Sequence, residues 1–184
     1  GGMGRAGDGG AVVRDGAPSR RVIHDEHPFR PADGGDPVRR LRGRLAAGVA
    51  VVTSGEQTER SGSTVASILV VEGEPARLVL SLAEGSDVLE VIKSTGRFVV
   101  HVLAAEDRAL SDRFALVAPS PGGLFAGLAF EDGKWGPELA VAGNRGRATL
   151  ERVERVGYQQ LVVATLDEVV LANLERPLIW FRGR

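Results

Sequence analysis

The chain has no cysteine among its 184 residues. Disulfides, thiolate nucleophiles and cysteine-ligated metals are excluded together. Histidine is scarce, with three copies too scattered along the chain to form a metal cluster. Aromatic residues make up only 5%. The core must therefore come mainly from Val, Leu and Ala, and a chain of this length can still bury a large one. No apolar run approaches the ~20 residues that span a bilayer. The N-terminus lacks the apolar stretch of a secretory signal. Lys and Arg total 23 against 24 Asp and Glu, a net charge of −1. A broad basic surface for nucleic acid is not indicated. These absences predict one soluble, cytoplasmic domain with no membrane and no nucleic-acid partner.

Familiar catalytic signatures are missing too. There is no GxGxxG after a first strand and no GxxxxGK[ST], which disfavours a Rossmann domain and a P-loop. No serine stands in a GxSxG context, and no carboxylates pair at a useful spacing. No catalytic residue is nominated. If the protein is an enzyme, a bound cofactor carries the chemistry.

Residues 1–36 are rich in Gly, Asp, Arg and Pro, as in "GGMGRAGDGG". They cannot offset their ordering entropy by burial and are expected to form a flexible extension. "HDEHPF" (His24 to Phe29) reads as a solvated tail segment rather than a metal site. The folded domain is expected over 37–184.

Asp36 and Pro37 signal a helix start, the first as N-cap and the second at the first helical position. "PVRRLRGRLAAG" then predicts a short helix with Val38, Leu41 and Leu45 as its apolar stripe and Gly48 as its stop. Its arginines most simply form a solvated face.

Strands are expected over 48–54, 63–71, 77–83, 97–103, 148–156, 160–171 and 177–184. Helices are expected over 86–96 and 105–115. The Gly/Pro-rich stretch 119–139 reads as one long connection, and such loops are often functional. Strands in runs rather than in alternation with helices imply a mainly β antiparallel barrel or sandwich with helical inserts.

Four places could hold chemistry. "SGSTVASILVV" (61–71) starts small and polar and ends apolar. Gly62 permits close approach, while Ser63, Thr64 and Ser67 offer hydroxyls beside main-chain N–H groups. Such a row suits a flat heterocycle or a phosphate, but taken alone its chemistry favours a plain edge strand. "SLAEGSD" ends a strand and opens a helix at Ser86 and Asp87, where an anion or simple capping fits. His101 alternates with valines and reads as a polar niche in the core. Gly157 and Tyr158 sit between two strands, where Tyr158 either stacks on a ring or lies at a hairpin surface.

"LRGRLAAGVAVVTS", "GSTVAS", "PARLVLSL", "FVVHVL", "LSDRFA" and "RPLIWFRGR" occur in that order. Together they resemble the flavin reductase-like, FMN-binding split-barrel family over about residues 37–184. The resemblance implies a six-stranded antiparallel Greek-key split β-barrel with short helical inserts that forms a homodimer. It implies FMN or FAD in a groove at the dimer interface, held by Thr64, Val65, Ala66 and Ser67, and by Ser81, Leu82, Ala83, Ser86 and Asp87. It further implies an oxidoreductase, an NAD(P)H:FMN reductase that supplies reduced flavin to a partner monooxygenase. Hydride would pass from nicotinamide C4 of NADH or NADPH to flavin N5, with no obligatory protein acid or base.

Two departures stand out. The family's usual Asn in "FxVNVL" is His101. The Gly-Asp-His stretch associated with nicotinamide binding is here Gly157-Tyr158-Gln159. The alternative is an FMN-binding split-barrel protein without NAD(P)H reductase activity.

Overall fold

The computed structural model describes residues 36–140 and 143–182. The extension expected over 1–36, with its His24–Phe29 segment, lies outside the described residues apart from Asp36. In chain order the elements begin with α1 (Pro37–Arg44), β1 (Ala47–Gly48), β2 (Ala50–Ser54), β3 (Ser61–Val65), β4 (Ile68–Val71) and β5 (Arg77–Ala83). They continue with α2 (Asp87–Thr95), β6 (Arg97–Val102), α3 (Arg108–Phe114), β7 (Phe130–Gly133), β8 (Gly136–Leu139), β9 (Asn144–Val156), β10 (Gln159–Val170) and β11 (Ile179–Trp180).

α1 starts where its sequence signals place it. The Asp36 carboxylate accepts the Val38 N–H at 2.9 Å, satisfying a donor that the helix itself cannot. Two expectations for this helix fail. It stops at Arg44, and Gly48 belongs to β1 instead. The stripe Val38, Leu41 and Leu45 faces solvent, at 71%, 64% and 65% exposure. Four arginines among the eight residues of α1 leave no face that could enter a core without desolvating charge. The helix is tethered instead by its backbone, with the Arg182 N–H donating to the Gly43 carbonyl at 2.7 Å.

The main sheet is wholly antiparallel, in the order β3-β2-β6-β9-β10-β5-β4. Its two edge strands are consecutive in the chain. The stretch expected as one strand over 63–71 breaks at Ala66-Ser67. Its first half pairs with β2 and its second half with β5. Six chain segments thus make a seven-stranded sheet. Because only two residues separate its edges, the sheet must curl until they meet, and no ladder joins β3 to β4.

The alternation of each strand feeds two cores. One face buries Val52, Leu80, Leu82, Phe98, Val100 and Val162 against Val88, Leu89 and Ile92 of α2. The other buries Val51, Leu103 and Leu139 with Leu110 and Phe114 of α3. The connection expected over 119–139 is partly structured, since β7 and β8 form a hairpin within it. Its apolar residues Leu124, Phe125, Leu128 and Phe130 cover the second core. The Arg147 guanidinium forks onto the Glu138 carboxylate at 2.7 and 2.8 Å, tying the hairpin to β9. That bond and charge hold the Glu138 carboxyl below its usual range.

Gly62 has a structural cause that differs from the one expected. A Cβ there would lie 2.5 and 2.8 Å from ring carbons of Phe114. The close approach serves the second core rather than a ligand.

His101 occupies the expected polar niche and is wholly buried. Thr53 Oγ1 donates to the Pro137 carbonyl at 2.6 Å. The His101 Nε2–H then points to Thr53 Oγ1 at 3.1 Å and to the same carbonyl at 3.3 Å. Nδ1 is buried without a partner. Burial lowers the His101 pKa to about 4, with Arg145 adding to the effect while the Pro137 bond and Glu138 oppose it. The unfolded chain therefore binds a proton, between pH 6.5 and about 4, that the fold excludes. The contribution is fully present above pH 6.5 and is lost as pH falls through that window. It amounts to about 3 kcal/mol. Denaturant titrations at several pH values should show wild-type stability falling over this range and a flatter profile for His101→Asn. Identical profiles would show that His101 does not govern this dependence.

Candidate functional site

The partner switch at Ala66-Ser67 leaves an open cleft of about 450 Å³ between two strand edges. On one side runs the free edge of β3, with Ser63, Thr64 and Val65 continuing into Ala66 and Ser67. On the other lies the end of β5, with Ser81, Leu82 and Ala83. β4 pairs with β5 only as far as Leu80. One further bond, from the Ser81 N–H to the Ser67 carbonyl at 3.0 Å, closes the seam there. Beyond it, backbone groups of both edges lack ladder partners and face the cleft, where a polar partner is needed.

Side chains divide the work along each edge. Val65 and Leu82 are buried in the first core, so they offer the cleft only backbone. Thr64 Oγ1 donates to the Ser111 carbonyl at 2.6 Å, which commits its proton to α3 and leaves the oxygen as an acceptor. Ser67 is exposed at the rim. Gln159 pairs with Ala83 in register and brings its side chain to the same cleft.

Ser86 and Asp87 lie elsewhere. Ser86 begins α2 through its carbonyl, which accepts from the Leu89 N–H at 3.0 Å, while its hydroxyl makes no capping bond and is buried without a partner. Asp87 opens onto a second cleft of about 420 Å³, shared with Arg60 and the loop Gly122–Ala126. The strand end and the helix start, read together in the sequence, are thus split between two clefts. Gly157 has φ +58° and begins the two-residue turn from β9 to β10. Glycine suits that first central position. Tyr158 stands at the tip, 91% exposed. Only Gln159 of those three lines the first cleft.

Residues 42–184 match the flavin reductase like domain. The chain belongs to that family. It is 30% identical over 139 residues to the reductase component of 4-hydroxyphenylacetate 3-monooxygenase from Thermus thermophilus, covering 76% of this chain and 87% of the relative. It is 30% identical over 161 residues to an NADH:riboflavin 5′-phosphate oxidoreductase from Streptomyces pristinaespiralis, covering 85% and 90%. The fold matches that of the NADH:FAD oxidoreductase SgcE6 from Streptomyces globisporus C-1027, with a TM-score of 0.72 at 22% identity, covering 84% and 95%.

Beyond the residues singled out from this family's sequence pattern, the structure adds Arg42, Phe114, Ala115 and Leu116 to the cleft. Phe114 carried a helical apolar spacing that pointed only to packing. Leu116 adopts φ +59°, a conformation that costs a branched residue about 1–2 kcal/mol. It is 75% exposed, so little fold stability depends on its side chain. Nothing in the sequence marks this position.

Ser67→Leu keeps the backbone bond to Ser81 and alters only a rim side chain. Its unfolding free energy should change by less than about 0.5 kcal/mol. Fluorescence titration should show FMN binding weakened about tenfold. Unchanged affinity in the folded variant would place the flavin elsewhere.

Proposed function

We propose that this protein is an NAD(P)H-dependent flavin reductase that supplies reduced FMN to a separate monooxygenase. The observation that carries the reading is the cleft between the unpaired edges of β3 and β5. Its volume suits a small-molecule site, and its walls combine apolar surface with a few convergent polar groups. A planar, multiply hydrogen-bonding ring fits those walls: Ser81 and Ser67 present hydroxyls, and Gln159 presents an amide. Phe114, Ala115 and Leu116 form an apolar end wall. A bound flavin would supply the hydride acceptor at N5. The protein's part is to hold two flat partners in register and to donate hydrogen bonds where negative charge develops.

Gln159 and the exposed Tyr158 are proposed as the nicotinamide side, since the hairpin that carries them stands beside the cleft. The relatives named as NADH-dependent flavin oxidoreductases and as monooxygenase reductase components support both the donor and the partner.

The finer architecture is part of this proposal. The curled sheet is read as a Greek-key split barrel that forms a homodimer, with the flavin groove at the interface. Edge strand β4 supports the dimer, because Leu69, Val70 and Val71 are 58%, 54% and 41% exposed. An apolar edge of this kind calls for a covering surface.

The test is spectroscopic. Purified protein mixed with FMN under anaerobic conditions should lose its flavin absorbance bands when NADH or NADPH is added. Flavin that binds but stays oxidised with both donors would make this a flavin-binding protein without reductase activity.

A further inference from the structure

We infer that Arg42 reads the phosphate of the flavin and so makes the protein prefer FMN to unphosphorylated riboflavin. The inference rests on the flavin reading above. Among the described residues lining the first cleft, Arg42 is the only charged one. The two strand edges, the serine and threonine hydroxyls, the Gln159 amide and the apolar end wall are all neutral.

FMN differs in charge from end to end. Its ring is close to neutral and suits such walls. Its phosphate is anionic, and enclosing it without a cation would cost several kcal/mol. A guanidinium matches phosphate oxygens through two parallel N–H donors, which an ammonium cannot do.

The placement of Arg42 follows from how α1 is held. No residue of that helix is buried, so packing does not set its position. The tether is the bond from the Arg182 N–H to the Gly43 carbonyl, one residue beyond Arg42. It fixes the helix end that carries Arg42 over the cleft. Arg39, Arg40 and Arg44 on the same helix do not line the cleft, and their charge adds only to long-range attraction. The competing anion site is the N-terminus of α2. Its first turn carries Asp87 and Glu90, and Asp87 opens onto the other cleft.

Kd values for FMN and riboflavin, measured by fluorescence titration without nicotinamide, test the assignment on Arg42→Gln, Arg42→Lys and, as a control, Arg39→Gln. Circular dichroism checks that each variant is folded. Arg42→Gln should weaken FMN binding about tenfold while riboflavin binding moves by less than about twofold. Arg42→Lys should recover part of the loss, and Arg39→Gln should behave like wild type. The proposal is overturned if both flavins weaken together, if neither does, or if Arg39→Gln matches Arg42→Gln. It is also overturned if Arg42→Gln spares FMN and raises only the KM for NADH, which would assign Arg42 to the nicotinamide. Wild-type protein that binds neither flavin would defeat the flavin reading itself.

Discussion

The fold and the candidate site both depend on one constraint: the chain must leave β2 and join β5 within two residues. β3 and β4 are the opposite edges of one hydrogen-bonded sheet, and Ala66-Ser67 is all that connects them. The sheet has to curl to bring its edges together. The same step prevents the edges from pairing fully, because a strand that changes partner cannot satisfy both along its whole length. The cleft is the space left by that mismatch, and its unpaired backbone groups are its chemical content.

The surroundings keep the cleft open. Phe114 packs closely against Gly62, and its ring meets Phe125 edge-on at 5.3 Å. The Thr64 hydroxyl is tied to the backbone of α3. α3 is thereby locked against β3, and the turn after it delivers Leu116 to the cleft in a strained conformation. The residues that hold this corner together belong to the second core. The second core and the cleft therefore share a boundary, with Thr64 on both sides of it.

Much of the architecture was legible in the sequence because it rests on local signals. Apolar runs rich in Val or Leu mark β2, β5, β6 and β10, and Asp36-Pro37 marks the start of α1. The order of short motifs names the family, which no single motif does. What stayed hidden depends on tertiary pairing. The break at Ala66-Ser67 does not interrupt the strand-like pattern, so 61–71 reads as one element. The hairpin β7–β8 is disguised by glycine and proline, and its strands are four residues each. Asp87 follows Ala83 closely, yet the turn between them carries it to a different cleft, while the Ser86 hydroxyl lines neither. Arg42 looks like any solvated helix arginine until the tether at Gly43 is seen.

The central claim is that the flavin lies against the unpaired edges of β3 and β5. Backbone amide resonances followed by NMR during an FMN titration test it most directly. The largest shifts should fall on Ser63–Ser67 and Ser81–Ala83. Shifts concentrated instead on Arg60, Asp87 and Gly122–Ala126 would contradict it and move the site to the second cleft.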